Sequence, residues 1–244
     1  MQVYRELHVI TARPTPDDES KAPHLGYGVL PASEACSAGR WLALAQVAID
    51  QTIDMGKLPV VTGGTGLYIK ALIEGMADIP DVPDPIRAQA IQLWQEQGEK
   101  ALLERDPDMA ARLKPGDTQR HTRALEVLLA TGKSLAYWHE LPRAKPYPEA
   151  QFSVEFIDPP REELYLRCDV RFTAMLDAGA LEEVRALMAL NLSPDLPALR
   201  AVGVPELIKH LKGEWTLDKA IDKAQQATRN YAKRQLTWFR HQLS

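Results

Sequence analysis

The sequence predicts an α/β fold: a parallel sheet flanked by helices, with a small helical insertion and a helical C-terminal region. Three observations carry that expectation. Leu58-Pro59-Val60-Val61 is a short apolar run that passes through Gly63, Gly64 and Gly66 straight into the periodicity of Leu67, Ile69, Leu72 and Ile73. Phe152 to Ile157 is a second run rich in aromatic and β-branched residues. Most of the remaining chain repeats its apolar residues at helical spacing, with Gly and Pro at the ends of each stretch.

In chain order, Thr11 to Pro23 is rich in Pro, Asp, Glu and Lys and reads as a loop, with Pro23-His24 in a turn before Gly26 and Gly28. Ser37 is an N-cap for a helix through Trp41, Leu44, Ala48, Ile49 and Ile53 that Gly56 ends. The strand and helix of the glycine-rich turn follow. Ile79 to Pro85 holds three prolines in seven residues, a stiff boundary, and 80–116 reads as a helical insertion starting at Asp84-Pro85. This divides the chain into a core of 1–79 and 117–244 and the insertion 80–116.

Asp117 caps the next helix, through Leu125, Val127 and Leu128 to Gly132, with Gln119, Arg120 and Arg123 on one face. Those arginines read either as solvated or as holding phosphates. Tyr137 to Glu149 is a Pro-containing connection. Pro159-Pro160 opens a long helix carrying Arg167 and Arg171 one turn apart, and either could simply pair with Glu163 or Asp177. A helix follows over Leu181 to Leu190, then a tight turn over Leu199 to Gly203. The last helix, from about Thr216, sets Arg229, Lys233, Thr237 and Arg240 on one stripe beside Tyr231, Trp238 and Phe239. A basic stripe interleaved with aromatics suits a nucleic-acid backbone.

At Val60 to Tyr68 the residues leave two readings open, a tight connection or a ligand site at the carboxyl edge of a sheet. The dinucleotide fingerprint fails because Ile69 stands where a third glycine is needed, and no Gly-Lys-Ser/Thr follows for a P-loop. Gly132-Lys133-Ser134 has Val127 in place of the first P-loop glycine, so Gly132 reads as a helix C-cap.

With 244 residues, 45% hydrophobic and 25% charged, the composition is that of an ordinary globular protein. No apolar run approaches a membrane span and the start lacks signal-peptide features, so a cytoplasmic protein is the expectation. Cys36 and Cys168 lack a Cys-x-x-Cys pattern and the six histidines lack metal-ligand spacing. The net charge of −4 is unevenly spread, since Lys223 to Ser244 holds five Lys/Arg and no Asp/Glu.

Taken together, several stretches resemble one family, the bacterial tRNA dimethylallyltransferases. They are Gln2-Val3-Tyr4-Arg5, Thr11-Ala12-Arg13-Pro14, Pro23-His24, Ser37-Ala38, Gly63-Gly64-Thr65-Gly66-Leu67-Tyr68 and Gln119-Arg120 with Arg123-Ala124-Leu125-Glu126. Further on come Arg171-Phe172, Met175-Leu176, Glu183-Val184, Asp195-Leu196-Pro197, Arg200 with Val202-Gly203, and Lys233 to Arg240. Their order and spacing run almost end to end.

The resemblance implies a P-loop-kinase-like fold, of the nucleotide- and ATP-binding class, whose phosphate loop holds the diphosphate of dimethylallyl diphosphate. It implies transfer of the dimethylallyl group to the exocyclic amine of the adenine beside the anticodon, with Mg2+ as cofactor and the tRNA anticodon stem-loop as partner. A monomer at full length is implied as well. Carried over by position, Thr65 lies near the reacting amine, Arg171 serves catalysis at the diphosphate end, and His24, Gly63, Gly64 and Arg167 bind substrate. Gln2, Gln119, Arg120, Arg123, Arg200, Lys233, Arg234, Thr237 and Arg240 contact tRNA.

Two departures stand out. The family's P-loop, with its lysine and Ser/Thr, and its base aspartate would precede Met1, and the metal ligands with them. This predicts a truncated gene product, active only with the upstream segment and prone to self-association through exposed sheet edges. The alternative is a catalytically silent tRNA-binding remnant. Val204-Pro205 also replaces the aromatic and basic residues that usually continue the Arg-x-Val-Gly motif. A small-metabolite kinase is a third reading, one that leaves the basic C-terminal helix without a purpose.

Overall fold

The computed structural model describes residues 1–242. The chain forms two compact units, Met1–Ala71 with Ala150–Ser244, and Leu72–Glu149.

In the first unit, Ser37 accepts the Arg40 amide at 3.1 Å and starts helix α2 (Ala38–Asp54), as its sequence predicts. Helix α1 (Pro16–Lys21) lies in the stretch expected to be a loop. There Thr15 and Asp18 close a capping box, which satisfies the amides of a first turn that composition alone argues against. Helix α3 (Gly66–Glu74) follows the glycine-rich turn. The C-terminal part holds α9 (Arg161–Asp177), α10 (Ala180–Ala189), a 3-10 turn over Pro197–Arg200, α11 (Val204–Leu211) and the long α12 (Leu217–Gln242). Helix α11 begins at the unusual Val204-Pro205, where proline in the first turn forfeits no hydrogen bond. Helices α9 and α11 pack on α12. Their buried side chains Phe172, Val184, Leu187, Val204, Leu207 and Ala220 join Tyr4, Leu7 and Leu30 in one core.

The second unit is helical. It contains α4 (Asp84–Gln97), α5 (Lys100–Leu103), α6 (Pro107–Arg112), α7 (Thr118–Thr131) and α8 (Leu135–Glu140). Asp117 caps α7 and Gly132, at φ 69°, ends it, so Gly132-Lys133-Ser134 is a helix terminus. Ser134 then caps α8, a short helix inside the expected connection. Helix α7 packs on α4 and buries Ala124, Leu125, Val127 and His121, whose ring lies 5.2 Å from that of Trp94. The expected core segment 117–149 therefore belongs to this unit. The prolines at 80, 83 and 85 mark a stiff stretch, and the packing partner of α7 decides the boundary.

The expected parallel sheet is not formed among the described residues. β pairing there consists of two isolated bridges, Tyr4 with Leu30 (parallel) and Met76 with Ala144 (antiparallel). The runs 58–61 and 152–157 are not helical, but no second strand lies in hydrogen-bonding register with either. Val60 is 77% exposed and Ile157 78%, so the apolar side chains that suggested buried strands face outward. Among the described residues no helix is long and apolar enough to cross a membrane.

Candidate functional site

The glycine-rich turn is held by the last helix. Gln235 Nε2 on α12 donates to the carbonyl oxygen of Gly64 at 2.8 Å. A Cβ on Gly64 would meet that same nitrogen at 2.0 Å, and a Cβ on Gly66 would meet Trp238 Cε3 at 2.0 Å. Two of the three glycines thus lie against α12: a Cβ on Gly66 would meet the Trp238 ring, and one on Gly64 would have to displace the end of the Gln235 side chain. Lys70 Nζ donates to Gln242 Oε1 at 3.0 Å, a further tie between α3 and α12. Positions 235, 238 and 242 recur at helical spacing, so one face of α12 serves this turn.

Between these ties stands Thr65. It is exposed at the mouth of α3, and its carbonyl oxygen accepts the amides of Tyr68 at 2.9 Å and Ile69 at 3.3 Å. Gly63 is exposed as well. Tyr68 tucks under the turn, donating its hydroxyl to the Cys36 carbonyl at 3.0 Å and stacking on Trp41 at 4.9 Å. Burial, and then the Cys36 thiol beside it, push the Tyr68 hydroxyl up to about 12. The Cys36 thiol is itself raised by burial.

The next residues of α12 tie it to the segment before α9. Arg240 holds Asp158 through Nη2 at 2.7 and 2.9 Å and Nε at 3.1 Å, while Phe239 stacks on Phe156 at 5.3 Å. Arg229 Nη1 grips both oxygens of Asp169, at 2.5 and 2.7 Å. The stripe expected from the sequence is therefore partly neutralised, because its two arginines have aspartate partners on the 150–177 stretch. Lys233 and Arg234 keep their charge exposed and form no ion pair among the described residues, with Arg234 over the Tyr231 ring at 5.6 Å. Thr237 is also exposed and donates its hydroxyl to the Lys233 carbonyl at 2.9 Å. With Asn230, Trp238 and His241, these residues line a shallow hollow.

The remaining expected residues are more scattered. Gln2 Nε2 donates to the carbonyls of Thr11 at 3.1 Å and Ala12 at 2.8 Å, fixing a bend where Ala12 takes φ 50°. His24 Nδ1 donates to the Ala22 carbonyl at 2.8 Å and its ring meets Tyr27 edge-on. Arg171 is exposed on α9, and Arg167 one turn earlier pairs with Glu163. Arg200 pairs with Asp195. In the helical unit, Gln119 is exposed on α7, Arg120 pairs with Asp117 at 3.4 Å and Arg123 with Glu126 at 2.9 Å.

Sequence reasoning missed Gln235 and Trp238 as supports of the turn. The glycines gave a partial signal: neither Gly64 nor Gly66 takes a positive φ and both lie against α12, while Gly63 has neither feature. It also missed Asp158 and Asp169, which lie far from their arginines in sequence. Among the described residues no three or more His, Cys, Asp or Glu side chains gather as metal ligands.

Comparison with known proteins places the chain in context. The family model described as IPP transferase matches residues 2–242. A tRNA dimethylallyltransferase of Rhodospirillum centenum is 56% identical over 248 residues, covering 100% of this chain and 79% of that protein. The enzyme of the same name from Paramagnetospirillum magneticum is 51% identical, covering 100% and 78%. Among solved structures, a tRNA isopentenylpyrophosphate transferase from Staphylococcus epidermidis superposes with a TM-score of 0.63 at 30% identity, covering 98% of this chain and 78% of that one. A eukaryotic dimethylallyltransferase acting on tRNA superposes at 0.78 with 25% identity, covering 100% and 62%. On the full-length family match and relatives more than half identical to it, this chain belongs to the IPP transferase family.

Proposed function

We propose that this chain transfers a dimethylallyl group from dimethylallyl diphosphate to the exocyclic amine of the adenine beside the anticodon of tRNA, releasing diphosphate. The observation that carries the proposal is the 56% identity, over the whole chain, to a tRNA dimethylallyltransferase.

In this reaction the amine nitrogen forms a new bond to the allylic carbon while the bond from that carbon to the diphosphate oxygen breaks. The electron pair leaves with diphosphate and the amine gives up one proton. An aromatic exocyclic amine is a weak nucleophile, so alignment and charge stabilisation on the departing diphosphate must supply most of the acceleration. In the proposal Thr65 orients the amine, since a hydroxyl can direct a hydrogen bond but is no strong base. Arg171, with Arg167 and His24, serves the diphosphate, because guanidinium groups form charge-assisted pairs with phosphate oxygens. Gly63, with no atom within 4 Å of where a Cβ would stand, leaves room for substrate beside the turn, and Gly64 is assigned to substrate through its backbone.

The adenine must leave the stacked loop before its amine can react. Lys233, Arg234, Thr237 and Arg240 on α12, with Gln2 and Arg200, are assigned to the RNA. Gln119, Arg120 and Arg123, in the helical unit that contains 80–116, are assigned to the anticodon stem-loop. Arg120, Arg123, Arg167, Arg200 and Arg240 pair with neighbouring carboxylates. Such solvent-accessible pairs contribute only about 0–1 kcal/mol, so phosphate can displace them at little cost.

The test is incubation with anticodon stem-loop RNA and dimethylallyl diphosphate, with the Rhodospirillum centenum relative alongside. Mass spectrometry should find one added dimethylallyl group on the adenine beside the anticodon. RNA that binds this chain but gains no mass, while the relative modifies it, would overturn the proposal.

A further inference from the structure

We propose that Gln235 is a positioning residue that sets where Thr65 stands, an inference that rests on the assignment of Thr65 to the reacting amine. Gln235 donates to the carbonyl of Gly64, the oxygen of the very peptide group whose nitrogen belongs to Thr65. That bond orients the peptide plane from which Thr65 departs. On the other side of Thr65, the Trp238 ring occupies the space a Cβ on Gly66 would need, with Cε3, Cζ3 and Cδ2 at 2.0, 2.2 and 2.5 Å. Thr65 is bracketed between one polar and one aromatic contact from a single helix.

Within the turn, Thr65 is held from its C-terminal side, where its carbonyl accepts the Tyr68 and Ile69 amides. Residues 58–63 enter no β ladder, and Gly63 meets no atom within 4 Å of where its Cβ would be. Ahead of Thr65 lie a long contact at 3.5 Å between the Tyr27 and Thr62 hydroxyls and the shorter bond from the Gln235 amide to Gly64. Gln235 is half-buried, while Lys233, Arg234 and Thr237 on the neighbouring positions are exposed. One rigid helix thus carries the cationic face on its outer side and the support of Thr65 on its inner side. An RNA seated on the outer face is registered against Thr65 by the helix itself, over a span of a few residues at about 1.5 Å rise each.

Two variants attack the same bond from opposite sides. Gln235→Met keeps length and neutrality but removes the donor; Gly64→Ala pushes the donor away. For both, exchange of the Tyr68 and Ile69 amides, which the Thr65 carbonyl holds, should rise by about fivefold as that carbonyl loses its support, the weakening expected for one lost hydrogen bond. Exchange in α10 and α11 and the affinity for stem-loop RNA should stay unchanged, and kcat should fall with KM for RNA unaltered. Unchanged exchange at Tyr68 and Ile69, or a fall in activity carried by KM alone, would overturn the inference. The exchange measurement decides it independently of transfer. Raised exchange in a chain that transfers no dimethylallyl group supports the hold on the turn and overturns only the assigned reaction.

Discussion

Tyr68 stacks on Trp41 and donates its hydroxyl to a backbone carbonyl, and burial raises its pKa to about 12 from an ordinary value of 10.0. A proton held more tightly in the folded state favours folding below pH 10, and that advantage disappears as pH climbs through 12. Tyr68→Phe should therefore lose stability at neutral pH, where the hydrogen bond is missed. The gap to the parent protein should narrow between pH 10 and 12, followed by urea unfolding at each pH. A gap constant across that window would contradict the account. At this scale the sequence announces residue types but not their partners. The spacing of Arg229, Lys233 and Arg240 correctly places them on one helix. That Asp169 and Asp158 take up the two arginines depends on contacts 60 and 82 residues away, which no local pattern records.

Beyond the apolar packing of Val184 and Leu187, helix α10 is tied to the N-terminal bend by the carboxylate of Glu183. Glu183 accepts the amides of His8 and Val9 at 2.7 Å through Oε2 and that of Ile10 at 2.9 Å through Oε1. Three backbone donors on one half-buried carboxylate form charge-assisted bonds, and each is worth more than a neutral pair. Glu183→Gln turns one acceptor into a donor facing those amides and should cost on the order of 2 kcal/mol in chemical denaturation. Glu182→Gln, which touches only Arg185 at 3.6 Å on the surface, should cost less than about 1 kcal/mol. Equal losses would show that the bend is held by something other than Glu183. The helices themselves were largely legible: Ser37, Asp84-Pro85, Asp117, Gly56, Gly98 and Gly132 start and stop them where the sequence indicates. The strands were not, because an apolar β-branched run states a preference while a strand exists only with a partner in register. For 58–61 and 152–157 the described residues supply none; α12 instead holds Gly64, just past the first run, and Phe156 in the second by side chains.

The two units have separate cores. Leu125, Val127, Leu102 and Ala90 gather in the helical unit, while Leu207, Val204, Leu187 and Phe172 gather in the other, with no buried residue common to both. Proline density at 80–85 located the neighbourhood of the first boundary but not its position. It gave no hint that α7 and α8 belong to the helical unit, which runs on to Glu149, since an amphipathic helix shows which face is buried and not against what. Separate cores make separate melting the expectation. Leu125 and Leu207 are both fully buried, and replacing either with alanine removes apolar contacts and leaves a cavity, at a cost of about 2–5 kcal/mol to the unit that holds it. Scanning calorimetry should resolve two transitions, with Leu125→Ala lowering one and Leu207→Ala lowering the other. A single transition moved equally by both substitutions would mean that the cores unfold as one cooperative body. The helical unit would then draw its stability from the whole chain rather than from the α4–α7 packing.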